Sequence, residues 1–262
     1  MYGNDIYQIR LNPMRIIIKI KMNLHRNRQF IFFDVDQTLV NEWGFIDYFD
    51  QRFLELLNGF GARIDIRNYQ AVRDNVIRDR KIGYGYIREI IIEVCKLISQ
   101  TGYDKIIANK LEHELHERGK NLFRFFDDAE QTIEVLSRQN DLGVISNQSR
   151  VAILHLLKCS NINRFFKVIV ISLEVQMKKP NTKILQIAID RAERYPEDCI
   201  MVGDRLDTDI GPANKLGMKT IRITNSLFKS QQPINEFEQP TYTVANLGDI
   251  PKLLLKIRYS NK

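Results

Sequence analysis

The run Phe30-Ile31-Phe32-Phe33, followed at once by Asp34-Val35-Asp36-Gln37-Thr38-Leu39-Val40, constrains this chain more than any other stretch. Four apolar residues without polar alternation predict a strand buried on both faces, as in a parallel sheet sandwiched between helices. Two carboxylates arrive where that strand ends. In a continued strand residues two apart share a face, so Asp34 and Asp36 converge on one ligand only if the chain leaves regular pleating after Asp34. Open α/β sheets bind ligands at the carboxyl ends of their strands, which places a candidate site here. A lone D-x-D also fits a polar strand end entering a turn, with Thr38 as the cap of the next element, so the rest of the chain has to decide.

Downstream, apolar residues recur at three- and four-residue spacing from Phe45 to Leu57, a helix ending at Asn58-Gly59. Further helical patterns cover about 67–80, 84–100 and 103–118, and no convincing strand lies between 44 and about 122. Strands then alternate with helices. Helix Asp127 to Gln139 precedes strand Leu142 to Ile145 and helix Arg150 to Leu157. Strand Phe166 to Ile171 precedes helix Asn181 to Arg194, and strand Ile200 to Val202 precedes helix Ile210 to Leu216. Strand Lys219 to Ile223, a short edge strand Tyr242 to Val244 and a closing helix Ile250 to Ile257 complete the rhythm. The expected fold class is α/β, a doubly wound parallel sheet of Rossmann-like type. The expected division is an N-terminal extension over 1–28, a core formed by 29–43 and 123–262, and a helical insertion over 44–122 that makes a second, smaller domain.

Three more polar clusters fall at strand ends. Ser146 and Asn147 offer a hydroxyl and an amide, which can hold a phosphoryl oxygen without opposing it with negative charge. Lys178-Lys179-Pro180-Asn181 precedes the helix from about 181, with Pro180 suited to begin it. Val202-Gly203-Asp204-Arg205-Leu206-Asp207-Thr208-Asp209-Ile210 brings three carboxylates into six residues. Crowded acids repel and raise one another's pKa unless a cation compensates, and oxygen ligands with room for water and phosphate suit Mg²⁺.

In this order and at these places, the clusters resemble the four motifs of the haloacid dehalogenase-like (HAD) hydrolases, D-x-D-x-T, Ser or Thr, Lys followed by Pro, and G-D-x-x-x-x-D. The resemblance runs from about Phe30 into the C-terminal region. It selects Lys179 over Lys178, and it implies Asp34 as nucleophile, Asp36 as general acid and base, and Ser146, Asn147 and Lys179 as phosphate-binding groups. The implied Mg²⁺ ligands are the Asp34 side chain, the Asp36 backbone carbonyl, Asp204 and water, with Asp209 supporting. The insertion corresponds to a C1 cap closing over the site. The implied activity is a Mg²⁺-dependent phosphatase acting on a small phosphorylated metabolite through an aspartyl-phosphate. A phosphomutase and a non-catalytic phosphate-binding regulator of the same fold are the alternatives. Asp36 disfavours the dehalogenase branch, whose members lack the second aspartate. Specificity is expected in the cap and in the loop Asn41 to Phe45, where Trp43 either lines the pocket or packs in the hinge. Arg205, Asp207 and the substrate itself stay unassigned.

Composition narrows the rest. With 44% apolar and 27% charged residues, the 262-residue chain is ordinary for a soluble protein with a sizeable core. A net charge of +7 favours an anionic partner, but the basic residues are dispersed, so a small phosphorylated substrate is expected rather than nucleic acid. Cys95, Cys159 and Cys199 stand alone, which argues against a disulfide framework or zinc site and fits a reducing cytoplasm. His113 and His116 read as a solvated helix face rather than a metal site. The apolar run from Met14 to Met22 is too short and lysine-interrupted to span a bilayer. Residues 1–28 are therefore an extra strand, a basic arm or upstream of a start at Met22. The oligomeric state is not legible.

Overall fold

The computed structural model describes residues 28–78, 87–98, 102–118, 122–147, 155–158 and 160–260. The apolar run becomes strand β1 (Phe30–Phe33), with all four side chains buried. Its side chains divide between two layers. Ile31 and Phe33 pack with Ala129, Ile133, Leu136, Ile250 and Leu254, whereas Phe30 and Phe32 pack with Ile184, Leu185, Ala188 and Ile189. At about 1.5–3 kcal/mol for each large apolar side chain removed from water, this one strand ties both helical layers to the sheet. The Phe30 and Phe32 rings stack at 4.5 Å, and a Cβ on Gly143 in the neighbouring strand would come within 2.9 Å of both. Only glycine fits beside that pair.

The other strands are β2 (Val40–Asn41), β3 (Arg124–Phe125), β4 (Asp141–Ser146), β5 (Phe166–Ile171), β6 (Cys199–Gly203), β7 (Lys219–Ile223) and β8 (Tyr242–Val244). Six of them form one sheet in the order β5-β4-β1-β6-β7-β8, paired in parallel throughout. Helices α1 (Trp43–Gly59), α2 (Ile66–Arg78), α3 (Ile87–Leu97) and α4 (Asp104–Arg118) come between β2 and β3; α5 (Ala129–Ser137), α6 (Thr182–Ala192), α7 (Gly211–Lys215) and α8 (Ile250–Ser260) flank the sheet. The strand and helix order matches the sequence expectation. Residues 1–27, 79–86 and 148–154, with Cys159 and the start at Met22, lie outside the described residues.

The insertion has its own apolar cluster. Phe45, Ile46, Phe49, Phe53, Leu56 and Leu57 of α1 meet Tyr69, Val76 and Ile77 of α2, Ile90, Ile91 and Val94 of α3, and Ile107 and Leu111 of α4. The helix α1 stops where the Asn58 side chain turns outward to bracket Ile64, accepting from its N–H and donating to its C=O at 2.9 Å each. A buried ion pair, Arg73 to Asp50, joins α2 to α1, and the Tyr69 hydroxyl donates to the same carboxylate at 2.9 Å. The segments entering and leaving the insertion pair with each other. In the antiparallel β2–β3 ladder Val40 faces Phe125 and Asn41 faces Arg124. Nothing in the local pattern announced so short a pair.

Two boundaries depart from expectation. Pro180 does not begin α6; Asn181 caps it, its side chain accepting from the Lys183 N–H at 3.0 Å, and the Lys179-Pro180 peptide before it is cis. The chain also reaches α7 through a π-helical turn, Leu206–Ile210, rather than directly. That wider turn carries Asp207 and Asp209.

A candidate acidic active site at the end of β1

The chain stays in the ladder through Asp34, whose N–H donates to Val202 O at 2.9 Å, and then leaves it. The N–H groups of Thr38, Leu39 and Val40 all turn back to Val35 O, while Gln37 adopts φ 57°. A residue with a Cβ held left-handed costs roughly 1–2 kcal/mol. The turn it closes is what breaks the pleating after Asp34.

At that strand end three elements converge. Asp34 follows β1, Asp204 follows β6 and Asp209 sits on the π-helical turn; oxygens from the three lie within 4.8 Å of one another, all buried. Lys179, 3% exposed, reaches in from the loop before α6, with Nζ at 2.5 Å from Asp34 Oδ1 and 2.6 Å from Asp209 Oδ1. Asp209 also accepts the Arg205 N–H at 3.1 Å through its other oxygen. Gly203 is required for this arrangement, because a Cβ there would stand 2.5 Å from the Asp209 carboxylate.

Burial raises the pKa of Asp34 to about 7; Lys179 opposes the rise, while Asp209 and Asp36 add to it. Asp204 is pushed well above the usual carboxylate range by burial, then by Asp209 and Asp34. Burial alone would lower Lys179, but Asp209 and Asp34 outweigh it and raise its pKa. The Lys179 ammonium thus pairs with two of the three carboxylates, and Asp204 Oδ2 is buried with no hydrogen-bond partner. Such a set is short of positive charge and has a free oxygen ligand, which fits a hard divalent cation.

Of the other predicted residues, Asp36 is partly buried in the turn and bridges to Val40. Ser146, fully buried, is the last residue of β4. Asn147 is joined to Lys179, its carboxamide accepting from the Lys179 N–H at 2.8 Å and donating to the Lys179 C=O at 3.0 Å, which fixes the lysine's backbone. Arg205 holds Asp207 with two bonds of 3.1 and 2.7 Å, and Gln231 donates to it at 2.9 Å. Burial opposes its ionisation, yet these bonds keep its pKa below normal. Trp43 is 39% exposed at the start of α1 rather than packed away.

Glu42 carries no signal in the sequence. It is 3% exposed and hydrogen-bonded to Asp36, and burial followed by Asp36, Asp204 and Asp34 pushes its pKa well above the ordinary range. Ser226, Arg222 and Gln231 are equally silent. Each is a single polar residue in an unremarkable context, Arg222 on β7 and the other two on the segment after it.

The profile of the haloacid dehalogenase-like hydrolase family matches residues 31–223. The glyceraldehyde 3-phosphate phosphatase of Methanocaldococcus jannaschii is 25% identical over 229 residues, covering 87% of this chain and 97% of that protein. The pyrophosphatase PpaX of Bacillus mycoides is 25% identical over 235 residues, covering 87% and 97%. Among solved structures, the magnesium-bound YfnB of Bacillus subtilis superposes with a TM-score of 0.64 at 20% identity, covering 87% of this chain and 99% of that one.

Proposed function

The chain belongs to the haloacid dehalogenase-like hydrolases, and from that premise we propose that it is a Mg²⁺-dependent phosphatase of small phosphorylated metabolites, working through an aspartyl-phosphate on Asp34. The observation that carries this reading is the buried trio Asp34, Asp204 and Asp209, served by Lys179 and left with an unpartnered oxygen on Asp204. The relatives named as phosphatases support the substrate class, and their names point to small phosphoryl compounds rather than to one substrate.

Asp34 and Asp204 would hold the cation with their side chains and Asp36 with its backbone carbonyl, while Asp209, committed to Lys179 and the Arg205 N–H, supports from behind. When bound, Mg²⁺ supplies positive charge that offsets the acids and the transferring phosphoryl oxygens. Asp34, ionised in that field, attacks phosphorus and displaces the alcohol or phosphate leaving group. Lys179 Nζ, already steady between two carboxylates, stabilises a non-bridging oxygen, and the Ser146 hydroxyl takes another. Asp36 gives its proton to the leaving oxygen and recovers it from the water that cleaves the phosphoenzyme. Asn147 keeps Lys179 in place.

Residues 44–122 are read as a cap. Their separate apolar cluster and the single narrow β2–β3 connection suit a body that closes over substrate and excludes water. The described residues contain no helix long and apolar enough to cross a membrane.

The test is phosphate release from a panel of phosphorylated metabolites, pyrophosphate included, by purified protein with EDTA or with added Mg²⁺, combined with acid quenching to trap a phosphoenzyme. Turnover only with the metal, and label on Asp34, are expected. Full activity after EDTA treatment, or label on another residue, would sink the reading.

A further inference from the structure

The segment after β7 touches both bodies of the molecule. Ser226, 2% exposed, brings its hydroxyl within hydrogen-bonding reach of the Asp204 carboxylate and accepts the Phe228 N–H at 3.0 Å. Gln231 accepts the Leu206 N–H at 2.7 Å and donates to Asp207 at 2.9 Å, so it grips the first residues of the π-helical turn that carries Asp209. Arg205 lies over the Phe228 ring, 4.4 Å from its centre, and Arg222 donates to Phe228 O at 2.7 Å. Between these polar anchors, Leu227 and Phe228 are buried in the apolar cluster of the insertion, alongside residues of α1 to α4.

We propose that Ser226 and Gln231 are positioning residues for the acidic cluster, and that Leu227 and Phe228 tie their placement to the insertion, so that docking of the insertion and affinity for the divalent cation are linked. The proposal rests on the reading of Asp34, Asp204 and Asp209 as the cation site. Ser226 hydrogen-bonds the Asp204 carboxylate and so helps to fix its orientation. Gln231 fixes the start of the turn that delivers Asp209. Both lie within five residues of Phe228, whose ring is held on one side by Arg205 and whose carbonyl is held by Arg222. Moving the insertion without this segment would strip Leu227 and Phe228 of their apolar neighbours. Moving it with the segment would displace the partners of Asp204 and Leu206. Either way the state of the insertion changes the free energy of the acids, and linkage requires the cation to act back on the insertion by the same factor.

The experiment uses the full-length chain without substrate. Mg²⁺ affinity is measured by calorimetry for wild type, Ser226→Ala, Ser226→Thr, Gln231→Ala and Phe228→Ala, with circular dichroism melts on each. A core substitution on the opposite face of the sheet, Ile133→Val, serves as the control for stability loss alone. The emission of Trp43, the only tryptophan and the first residue of α1, reports on the insertion as Mg²⁺ is added. Loss of a group that orients a ligating side chain typically weakens metal binding by about 10–100-fold. That loss is expected for Ser226→Ala, Gln231→Ala and Phe228→Ala, with recovery in Ser226→Thr, no change in Ile133→Val, and a weakened Trp43 response in Phe228→Ala. Folded Ser226→Ala and Phe228→Ala proteins that bind Mg²⁺ as wild type does would overturn the proposal. Should Phe228→Ala fail to fold, Leu227→Val makes the same test with less loss of volume. A wild-type protein that binds no divalent cation would instead overturn the cation site itself, and the proposal with it.

Discussion

Replacing Gly203 by alanine tests how tightly the strand end holds the acids. The added Cβ would lie 2.5 Å from both the Cβ and Oδ2 of Asp209, and 2.6 Å from its Cγ. Ordinary carbon contacts are about 3.5–4.0 Å, so Asp209 or the backbone of β6 has to move by roughly 1 Å. Asp209 has little freedom to do so, being fully buried with one oxygen on Lys179 at 2.6 Å and the other on the Arg205 N–H at 3.1 Å. Overpacking of this kind costs about 1–3 kcal/mol, or roughly 2–4 °C of Tm per kcal/mol in a domain of this size. A displacement of about 1 Å in a reacting constellation costs on the order of 100-fold in rate. Gly143→Ala is the matched control. Its Cβ would crowd Val168 O, Phe30 and Phe32 at 2.8–2.9 Å, a comparable clash within the sheet and with no acid among the crowded groups. Phosphatase activity, Mg²⁺ titration and thermal melts on both variants are the assay. Gly203→Ala should lose activity and Mg²⁺ affinity beyond its Tm loss, and Gly143→Ala should lose Tm alone. Equal activity losses in the two at equal Tm would refute the claim that Gly203 acts through Asp209.

Asp34→Asn should leave the melt intact and lower turnover about a thousandfold or more, with no phosphoenzyme after acid quench; near wild-type turnover would remove Asp34 as nucleophile. In metal-free protein the stability should fall as pH rises from about 4 to 7, because Asp34 binds its proton up to about 7 when folded and only to its ordinary value of 3.8 when unfolded. Asp204 and Glu42, both raised, act in the same direction. Saturating Mg²⁺ should flatten that slope, and denaturant midpoints with the same slope in both conditions would contradict it. Asp50→Ala should destabilise by about 1–3 kcal/mol, because Arg73 and the Tyr69 hydroxyl each lose a buried partner while Arg73 keeps Asp74, read as a shifted urea midpoint; a shift below about 1 kcal/mol would mean that the pair contributes little.

What the sequence reveals and what it hides divide along physical lines. The sheet was legible because its central strands are short apolar runs and most helices keep a 3.6-residue period, both local signals. The acids were legible because three carboxylates in six residues are improbable without a cation. Glu42 gave no such sign. It sits among Asn41, Trp43 and Gly44 as an ordinary loop acid, and only the β2–β3 pairing and the turn through Gln37 bring it to Asp36. Asn147 was visible, but its task was not, because the Lys179 backbone it holds lies 32 residues away. Ser226 and Gln231 belong to a stretch whose sequence reads as plain loop, and their partners, Asp204 after β6 and Leu206 and Asp207 on the π-helical turn, are 22 to 25 residues distant.

The same distances explain why chemistry is confined to this one strand end. The contact between Lys179 and Asp34 spans 145 residues and that between Lys179 and Asp209 spans 30, so both depend on the sheet that sets β1 between β4 and β6. β1 is the central strand where the order reverses, with β4 and β5 on one side and β6, β7 and β8 on the other. The connections above it therefore part and leave a crevice, as at the switch point of other open α/β sheets. The acids after β1 and β6 and the lysine after β5 fill that crevice. The insertion is spliced in immediately after β1, so the β2–β3 linkers that carry it start from the same crevice. The core thus brings the acids together at the place where the insertion joins it. Variants that weaken β1 pairing, such as Gly143→Ala, should accordingly lose the site only through global unfolding, with activity following the folded fraction across the melt.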